Sequence, residues 1–381
     1  MLKTFLNAKP LFYEEIDYDR MPRVYAKIKV ELNLPKIIHI IGTNGKGTTG
    51  RFLATALYNT CKSVGHYTSP HILNFNERIW LNGSDVSDET LNSAHEELLK
   101  ILSKEDADSL SYFEYTTLLA LYIYQDLEYV VLEAGLGGEH DATAVFENIL
   151  TLITPIDRDH EAFLGDTLDE IARTKLNAIQ KSAIIADQKH PEVTDVAEDI
   201  ASKKSLSIQN LAQFLEIKDK GKIEQIAKEN NLVPYLVDNL KLAISVLNKL
   251  EIEYDAKSFE ESRLFGRLTK YKKNILLDVG HNTLAARAIA KSLQDTKQTL
   301  VYNSYRDKNY REILSILSPI IESVELIHIS DERAENLEVL EETLENLGIE
   351  YKKFSAIKES KKYLVFGSFS VVEAFLKGEN G

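Results

Sequence analysis

The stretch "IIGTNGKGTTG" (residues 40–50) closes a run of branched aliphatic residues and opens a helical pattern. Its glycines permit a tight turn, and the exposed N–H groups at a helix start favour an anion. The common phosphate loop carries Gly at the position held here by Ile40, and Ser or Thr directly after its lysine, where this chain has Gly47. Two readings stand side by side. One is an ordinary strand-to-helix turn. The other is a phosphate loop with its own spacing, in which Lys46 brings a full positive charge and Thr48 or Thr49 a hydroxyl for a metal. A helix terminus alone contributes only about 0.3–1 kcal/mol at an exposed site, so the second reading requires Lys46 and a cation.

Outward from this turn, strand-like runs alternate with helical patterns. "KIIHIIG" (36–42) leads to a helix near 47–60, and "VGHYTS" (64–69), "EYVVLEAG" (128–135), "NILTLITPI" (148–156) and "SAIIAD" (182–187) follow as strands. Continuous apolar runs separated by helices imply an α/β protein whose parallel sheet is covered on both faces. After "FGRLTKYKKN" (265–274) the alternation restarts, with strands at 274–280, 298–304, 323–330 and 363–368. A chain of 381 residues is too long for one compact core, and a junction near 268–273 would leave a second, smaller α/β unit.

The formal net charge of −14 argues against nucleic acid and anionic membranes as partners. The one cysteine, Cys61, excludes an internal disulfide and a zinc site of several thiolates, and a structural role is expected for it. No apolar run approaches a membrane span and the first residues lack a signal-peptide core, so a cytoplasmic protein is expected.

Ligands of open parallel sheets bind beyond the carboxyl ends of the strands. Unusual residues gather at those ends. Glu133 closes an apolar strand, where it either terminates the strand or offers magnesium a carboxylate, and Gly135, Gly137 and Gly138 follow. In "DRDHEAFLGDTLDEIARTKLNAI" (157–179), Lys175 shares a helical face with Leu164, Leu168, Ile171, Ala172 and Ile179. A lysine on the apolar face snorkels, pairs with an acid, or is chemically modified. His160 lies beyond the 148–156 strand and is either structural or a ligand. In "LLDVGHNTLAARAIA" (276–290), Asn282 either caps a helix or meets a ligand, and Asp278 could hold a ribose hydroxyl. Arg267 sits at the domain junction, where a cation could reach phosphates.

Assembled in order, these segments resemble the folylpolyglutamate synthase/dihydrofolate synthase family, a branch of the Mur-type ATP-dependent amide ligases. "GTNGKGT" (42–48) is similar to that family's own phosphate loop. "YTSPHILNFNERI" (67–79), "FEYTT" (113–117), "EAGLGGEHDATA" (133–144), "DHEAFLGDTLDEIARTK" (159–175), "GRL" (266–268), "LDVGHN" (277–282), "YRDKN" (305–309) and "FGSFSVVEAF" (366–375) follow in the family's order. The resemblance implies a larger N-terminal P-loop-type ATPase domain with a mostly parallel sheet, the Mur-ligase-type ATP-binding central domain, over 1–270. A smaller C-terminal Rossmann-like α/β domain, the glutamate-ligase domain, would span 271–381.

The resemblance also implies roles. Asn44, Gly45, Lys46, Gly47, Thr48 and Thr49 match residues around the ATP phosphates, and Asn239, Arg267, Asp278, His281 and Asn282 match further nucleotide contacts. Thr48, Ser69, Glu133 and His160 match ligands of two Mg2+ ions, and Lys175 matches a lysine that becomes N6-carboxylysine. Asp19, Arg20, Ser111, Tyr112, Phe113, Glu114, His140, Asp141 and Ala142 match the segments around the pteroate-like substrate. Lys46, Lys175 and His160 are the implied catalytic residues. The implied activity adds L-glutamate to dihydropteroate, to the γ-carboxylate of folates, or to both, through an acyl phosphate, and the implied protein is a monomer of the bifunctional bacterial type. Three departures mark this chain. Glu139 and His140 stand where the family has Arg-Leu, Thr283 where it has Pro, and Asn309 where it has Asp. Rival readings are a Mur-type cell-wall peptide ligase and a nucleotide switch. The latter wants an Asn-Lys-x-Asp segment, and "NKLE" (248–251) lacks the Asp.

Overall fold

The computed structural model describes residues 1–10 and 17–379. Lys36–Ile41 (β1) sets four isoleucines around His39, a composition that favours an extended strand buried on both faces. It lies inside an eight-stranded sheet with β2 (Val64–Tyr67), β3 (Ile79–Leu81), β4 (Ser84–Asp85), β5 (Tyr129–Glu133), β6 (Leu150–Ile153), β7 (Ser182–Ile185) and β8 (Ser207–Asn210). The order is β4-β3-β2-β5-β1-β6-β7-β8, and every neighbouring pair is parallel except β2–β3 and β3–β4.

Alternation along β1 divides its side chains between two layers. Ile38 and Ile40 pack with Phe52, Leu57, Leu240 and Leu247 on one face. Ile37 packs with Leu118, Leu119 and Leu132, and Ile41 with Ile153, Ile171 and Leu176, on the other. Each such aliphatic side chain contributes about 1.5–3 kcal/mol relative to exposure, so the register of β1 is tightly specified. In that register Ile40 is the partner of Glu133. The carboxylate therefore emerges at the same sheet edge as the turn after Ile41.

By its internal packing the chain divides into two units: Met1–Leu232 with Leu236–Ser262, and Val233–Tyr235 with the chain from Arg263 onward. The second unit holds β9 (Thr269–Lys272), β10 (Ile275–Leu277), β11 (Gln298–Tyr302), β12 (Ile321–Leu326), β13 (Tyr351–Lys353) and β14 (Tyr363–Phe366) in the order β13-β12-β11-β14-β10-β9. Only β9 runs antiparallel, to β10, and this hairpin draws the residues from Arg263 into the second unit. Leu300, Tyr302, Val324, Leu326, Leu364 and Phe366 form its centre. Among the described residues no helix is long and apolar enough to cross a membrane. Cys61 is exposed, in a left-handed turn just past the helix Lys46–Asn59.

Candidate active site

After Ile41 the chain reverses through two glycines in conformations that side chains rarely adopt, Gly42 at φ +136° and Gly45 at φ +91°. A Cβ on Gly42 would enter the side chain and carbonyl of Thr154, and one on Gly45 would lie 2.5 Å from the Asn239 carboxamide oxygen. The loop is clasped to the segment after β6. Thr43 and Asn44 both donate their N–H to the Pro155 carbonyl, at 3.0 and 3.4 Å. The Thr43 hydroxyl donates to the Asp157 carbonyl at 3.0 Å and accepts the Asp157 N–H at 3.1 Å.

The helix Lys46–Asn59 begins directly from this clasp with no side-chain cap, so its first N–H groups point into the turn. The hydroxyls of Thr48 and Thr49 are buried and make no hydrogen bond to the protein. Leaving such a group unmatched costs about 1–3 kcal/mol, and Thr48, in the first turn of this helix, is placed to offer its hydroxyl to a ligand at the turn.

Two ammonium groups converge on one carbonyl. Lys46 Nζ donates to the Gly42 and Thr43 carbonyls, each at 3.2 Å. Lys175 Nζ donates to the Gly42 carbonyl at 3.3 Å and to the Leu136 carbonyl at 2.7 Å. Lys175 lies on the helix Leu168–Leu176 and is 1% exposed, so it neither snorkels nor reaches water. Burial pushes its amine down to about 7; the neighbouring Lys46 charge adds to the shift, and Asp159 and Asp141 oppose it.

At the end of β5, Glu133 is buried and accepts the hydroxyl of Thr68 and the backbone N–H of Ser69, the latter at 3.3 Å. His160 adopts φ +54° before the short helix Glu161–Leu164, its Nε2 4.0 Å from an Asp159 carboxylate oxygen. Among the described residues no three His, Cys, Asp or Glu side chains cluster as an all-protein metal cage. Magnesium does not require one, because it keeps waters and phosphate oxygens and takes one or two protein ligands. The unpartnered Thr48 hydroxyl and the Glu133 carboxylate at one sheet edge are the hard oxygen donors that fit it.

The residues expected around the acceptor are brought together in part. Tyr18, next to Asp19, stacks on His140 with ring centroids 4.3 Å apart. Phe113 lies where a Cβ on Gly135 would go, 2.7 Å away, so that glycine is needed for close approach. Arg20 and Glu114 form a buried ion pair at 2.8 Å. Ser111 and Glu114 also form the capping box of the helix Tyr112–Ile123. Asp141 accepts the Gly137 N–H at 3.2 Å and the Thr143 N–H and hydroxyl at 3.0 and 2.6 Å, starting the short 3-10 turn Ala142–Val145.

In the second unit Asp278 is buried and accepts Leu268 N–H and Gly280 N–H, both at 2.8 Å, and the Tyr235 hydroxyl at 3.0 Å. Burial raises its carboxyl, with the Arg267 charge and these hydrogen bonds opposing. Asn282 caps the helix Thr283–Ser292 through Ala285 N–H at 2.9 Å. His281 Nδ1 is 3.2 Å from the Val279 carbonyl. The Arg267 guanidinium lies 5.2 Å from the Phe369 ring centroid, and Asn309 caps its own helix at Glu312 N–H. The sequence carries no sign of the parts played by Thr43, Thr68, Thr154 and Asp157, although Thr43 and Asp157 lie in segments that stand out at the strand ends. All four hold the site through backbone and hydroxyl contacts.

The deciding comparison is with a dihydrofolate synthase/folylpolyglutamate synthase of Haemophilus influenzae, 30% identical over 97% of this chain and 94% of that protein. The chain belongs to the dihydrofolate synthase/folylpolyglutamate synthase family. The Escherichia coli member is 28% identical over 94% of this chain and 90% of its own length. Among solved structures, a Helicobacter pylori folylpolyglutamate synthetase superposes with a TM-score of 0.82 at 37% identity, covering 100% of this chain and 98% of that one. Escherichia coli FolC in complex with DHPP and ADP superposes with a TM-score of 0.83 at 25% identity, covering 99% and 96%. No family model matches the chain. The α/β architecture expected from the sequence, a large mostly parallel sheet followed by a second sheet domain, is the architecture of these enzymes.

Proposed function

We propose that this protein is an ATP-dependent carboxylate–amine ligase that joins L-glutamate to dihydropteroate, to folates, or to both. Family membership carries the reaction class. The observation that carries the site is the convergence of Lys46 and Lys175 on the Gly42 carbonyl beside two buried, unpartnered threonine hydroxyls. The larger N-terminal region serves as the ATP-binding domain and the smaller C-terminal region as the glutamate-ligase domain, acting together as a monomer; the expected boundary at residue 270 falls inside β9 and moves to Arg263.

In this reading the N–H groups at the helix start and Lys46 hold the ATP phosphates, with Asn44, Gly45, Gly47, Thr48 and Thr49 as the cradle. Asn239 packs against Gly45 and fixes the loop from the side. Arg267, Asp278, His281 and Asn282 carry the remaining nucleotide contacts; for Asp278 and Asn282 the role includes shaping their own turn, since both are hydrogen-bonded within it. Thr48, Ser69, Glu133 and His160 would hold magnesium, which supplies charge neutralisation at the phosphates. When the acceptor carboxylate attacks the γ-phosphorus, the bond to the β-phosphate breaks, ADP leaves and an acyl phosphate forms, with Lys46 offsetting the negative charge that grows there. The glutamate amine then attacks the acyl carbon, the C–N bond forms and phosphate leaves. Asp19, Tyr112, Phe113 and the 140–142 turn flank the acceptor, with Arg20, Ser111 and Glu114 as their frame.

Lys175 fits N6-carboxylation. A buried amine with its pKa near 7 is partly neutral at physiological pH and can attack carbon dioxide, releasing a proton as the carbamate forms. The carbamate replaces a cation beside Lys46 with an anion.

The test is Lys46→Ala. Transfer of radiolabelled glutamate to dihydropteroate and to a reduced folate is expected to fall by about 100-fold or more, with the far-UV circular dichroism unchanged. Near-normal transfer would refute the assignment. Running both acceptors on one wild-type sample separates the two folate activities.

A further inference from the structure

His39 lies in the middle of β1, fully buried, three residues before Gly42. A histidine in a run of isoleucines is costly to bury, and its polar atoms reveal why it is there. Its Nε2 is 2.8 Å from the Thr143 hydroxyl, and that hydroxyl is 2.6 Å from an Asp141 carboxylate oxygen. The carboxylate can only accept, so the Thr143 hydroxyl donates to it and in turn accepts the Nε2–H of His39. The direction of the whole chain is thereby fixed. Burial pushes the imidazole down to about 4 against the opposing Asp141 charge, which keeps the ring neutral, and the contact with Thr143 selects the tautomer protonated on Nε2. Nδ1 makes no hydrogen bond to the protein, so the ring's one polar commitment is to Thr143.

The far end of this chain is the turn after β5. Asp141 receives the Gly137 N–H on its other oxygen, at 3.2 Å, and its own N–H donates to the Gly138 carbonyl at 3.1 Å. These bonds set the backbone from 137 to 143. The adjoining Leu136 carbonyl is the one that holds Lys175 at 2.7 Å. One rigid strand thus carries the phosphate-loop turn at its end and, through His39, a lever on the turn bearing His140–Ala142.

We propose that His39 is a positioning residue for the acceptor side of the site, acting through Thr143 and Asp141 on the 137–143 turn. The inference rests on the reading of that turn as acceptor-binding. A merely structural histidine would weaken the fold and lower turnover for every substrate alike. A positioning residue shifts the acceptor's KM selectively, and a side chain that keeps the donor restores it.

The experiment measures steady-state glutamate transfer for wild type, His39→Leu, His39→Gln, Thr143→Val and the Leu/Val double variant, varying acceptor and ATP separately. His39→Leu is expected to raise the acceptor KM about tenfold, the order of one lost hydrogen bond, with the ATP KM within about twofold. His39→Gln, whose amide can donate along the same line, returns the acceptor KM to within about threefold of wild type. Thr143→Val reproduces His39→Leu, and the double variant is no worse than the more severe single, as expected for one connected chain. Thr143→Val carries the test alone should His39→Leu fail to fold. An unchanged acceptor KM in the Leu and Val variants, an equal rise in the ATP KM, or multiplying single effects overturns the proposal while leaving the ligase reading intact. A wild-type protein inert toward both acceptors overturns both.

Discussion

The phosphate-loop turn after β1 and the Asp278 turn after β10 are both glycine-containing passages from strand to helix, yet they spend their polar groups in opposite ways. The Asp278 carboxylate accepts three hydrogen bonds within its own unit, and Asn282 closes the next helix. The first turn leaves two threonine hydroxyls buried without protein partners and rests two lysine ammonium groups on backbone carbonyls alone. Buried polar groups are normally matched. A turn that matches its own is chiefly architecture, and one that does not is built for something brought to it.

The sharpest way to break that contrast is to remove Lys175. Lys175→Ala is expected to lower glutamate transfer by about 100-fold, the scale seen when a pre-organised charge is deleted from an active site, with partial recovery on adding a short carboxylate such as acetate. Full activity without the additive would make the lysine structural. The converse change, Asp278→Asn, should act on stability first. It sets an amide N–H against a backbone N–H and costs about 1–3 kcal/mol, read as a lower urea midpoint for the second unit. A loss of ATP affinity at unchanged stability would instead make Asp278 a direct nucleotide ligand.

A smaller effect concerns pH. The folded Lys175 amine sits near 7 and the unfolded one near 10.5, so the unfolded chain binds the extra proton between those values. Stability from this group therefore rises as pH increases from about 7 toward 10.5, and below 7 its burial cost is fully felt. In carbon-dioxide-free buffer the urea midpoint of wild type should gain on that of Lys175→Met over this window. Parallel curves would place the ammonium in a wetter site. Smallest of all, Tyr235→Phe removes one hydrogen bond to Asp278, and a loss of about 1 kcal/mol is expected in the same urea assay.

The sequence showed the sheet order's raw material well, because β1, β5, β6 and β7 are nearly pure apolar runs with no competing pattern. Lys175 was legible for the same reason: a lysine at core spacing breaks a pattern that is otherwise regular. What stayed hidden was partnership. Arg20 and Glu114, 94 positions apart, carried no sign that each answers the other, and the expected substrate residues Ser111 and Glu114 turned out to be capping a helix. Thr43 and Asp157 clasp through one hydroxyl and two backbone groups, which composition does not record. His39 read as one more member of a strand, since periodicity registers which face a side chain takes and not whom it meets there.

The carbonyl of Gly42 has a consequence beyond geometry. Two basic side chains share a single dipole at 3.2 and 3.3 Å, so a positive charge on one raises the energy of the other. Carboxylation of Lys175, as proposed above, would turn that repulsion into attraction, and the modified side chain would then hold the Lys46 ammonium beside the loop it serves.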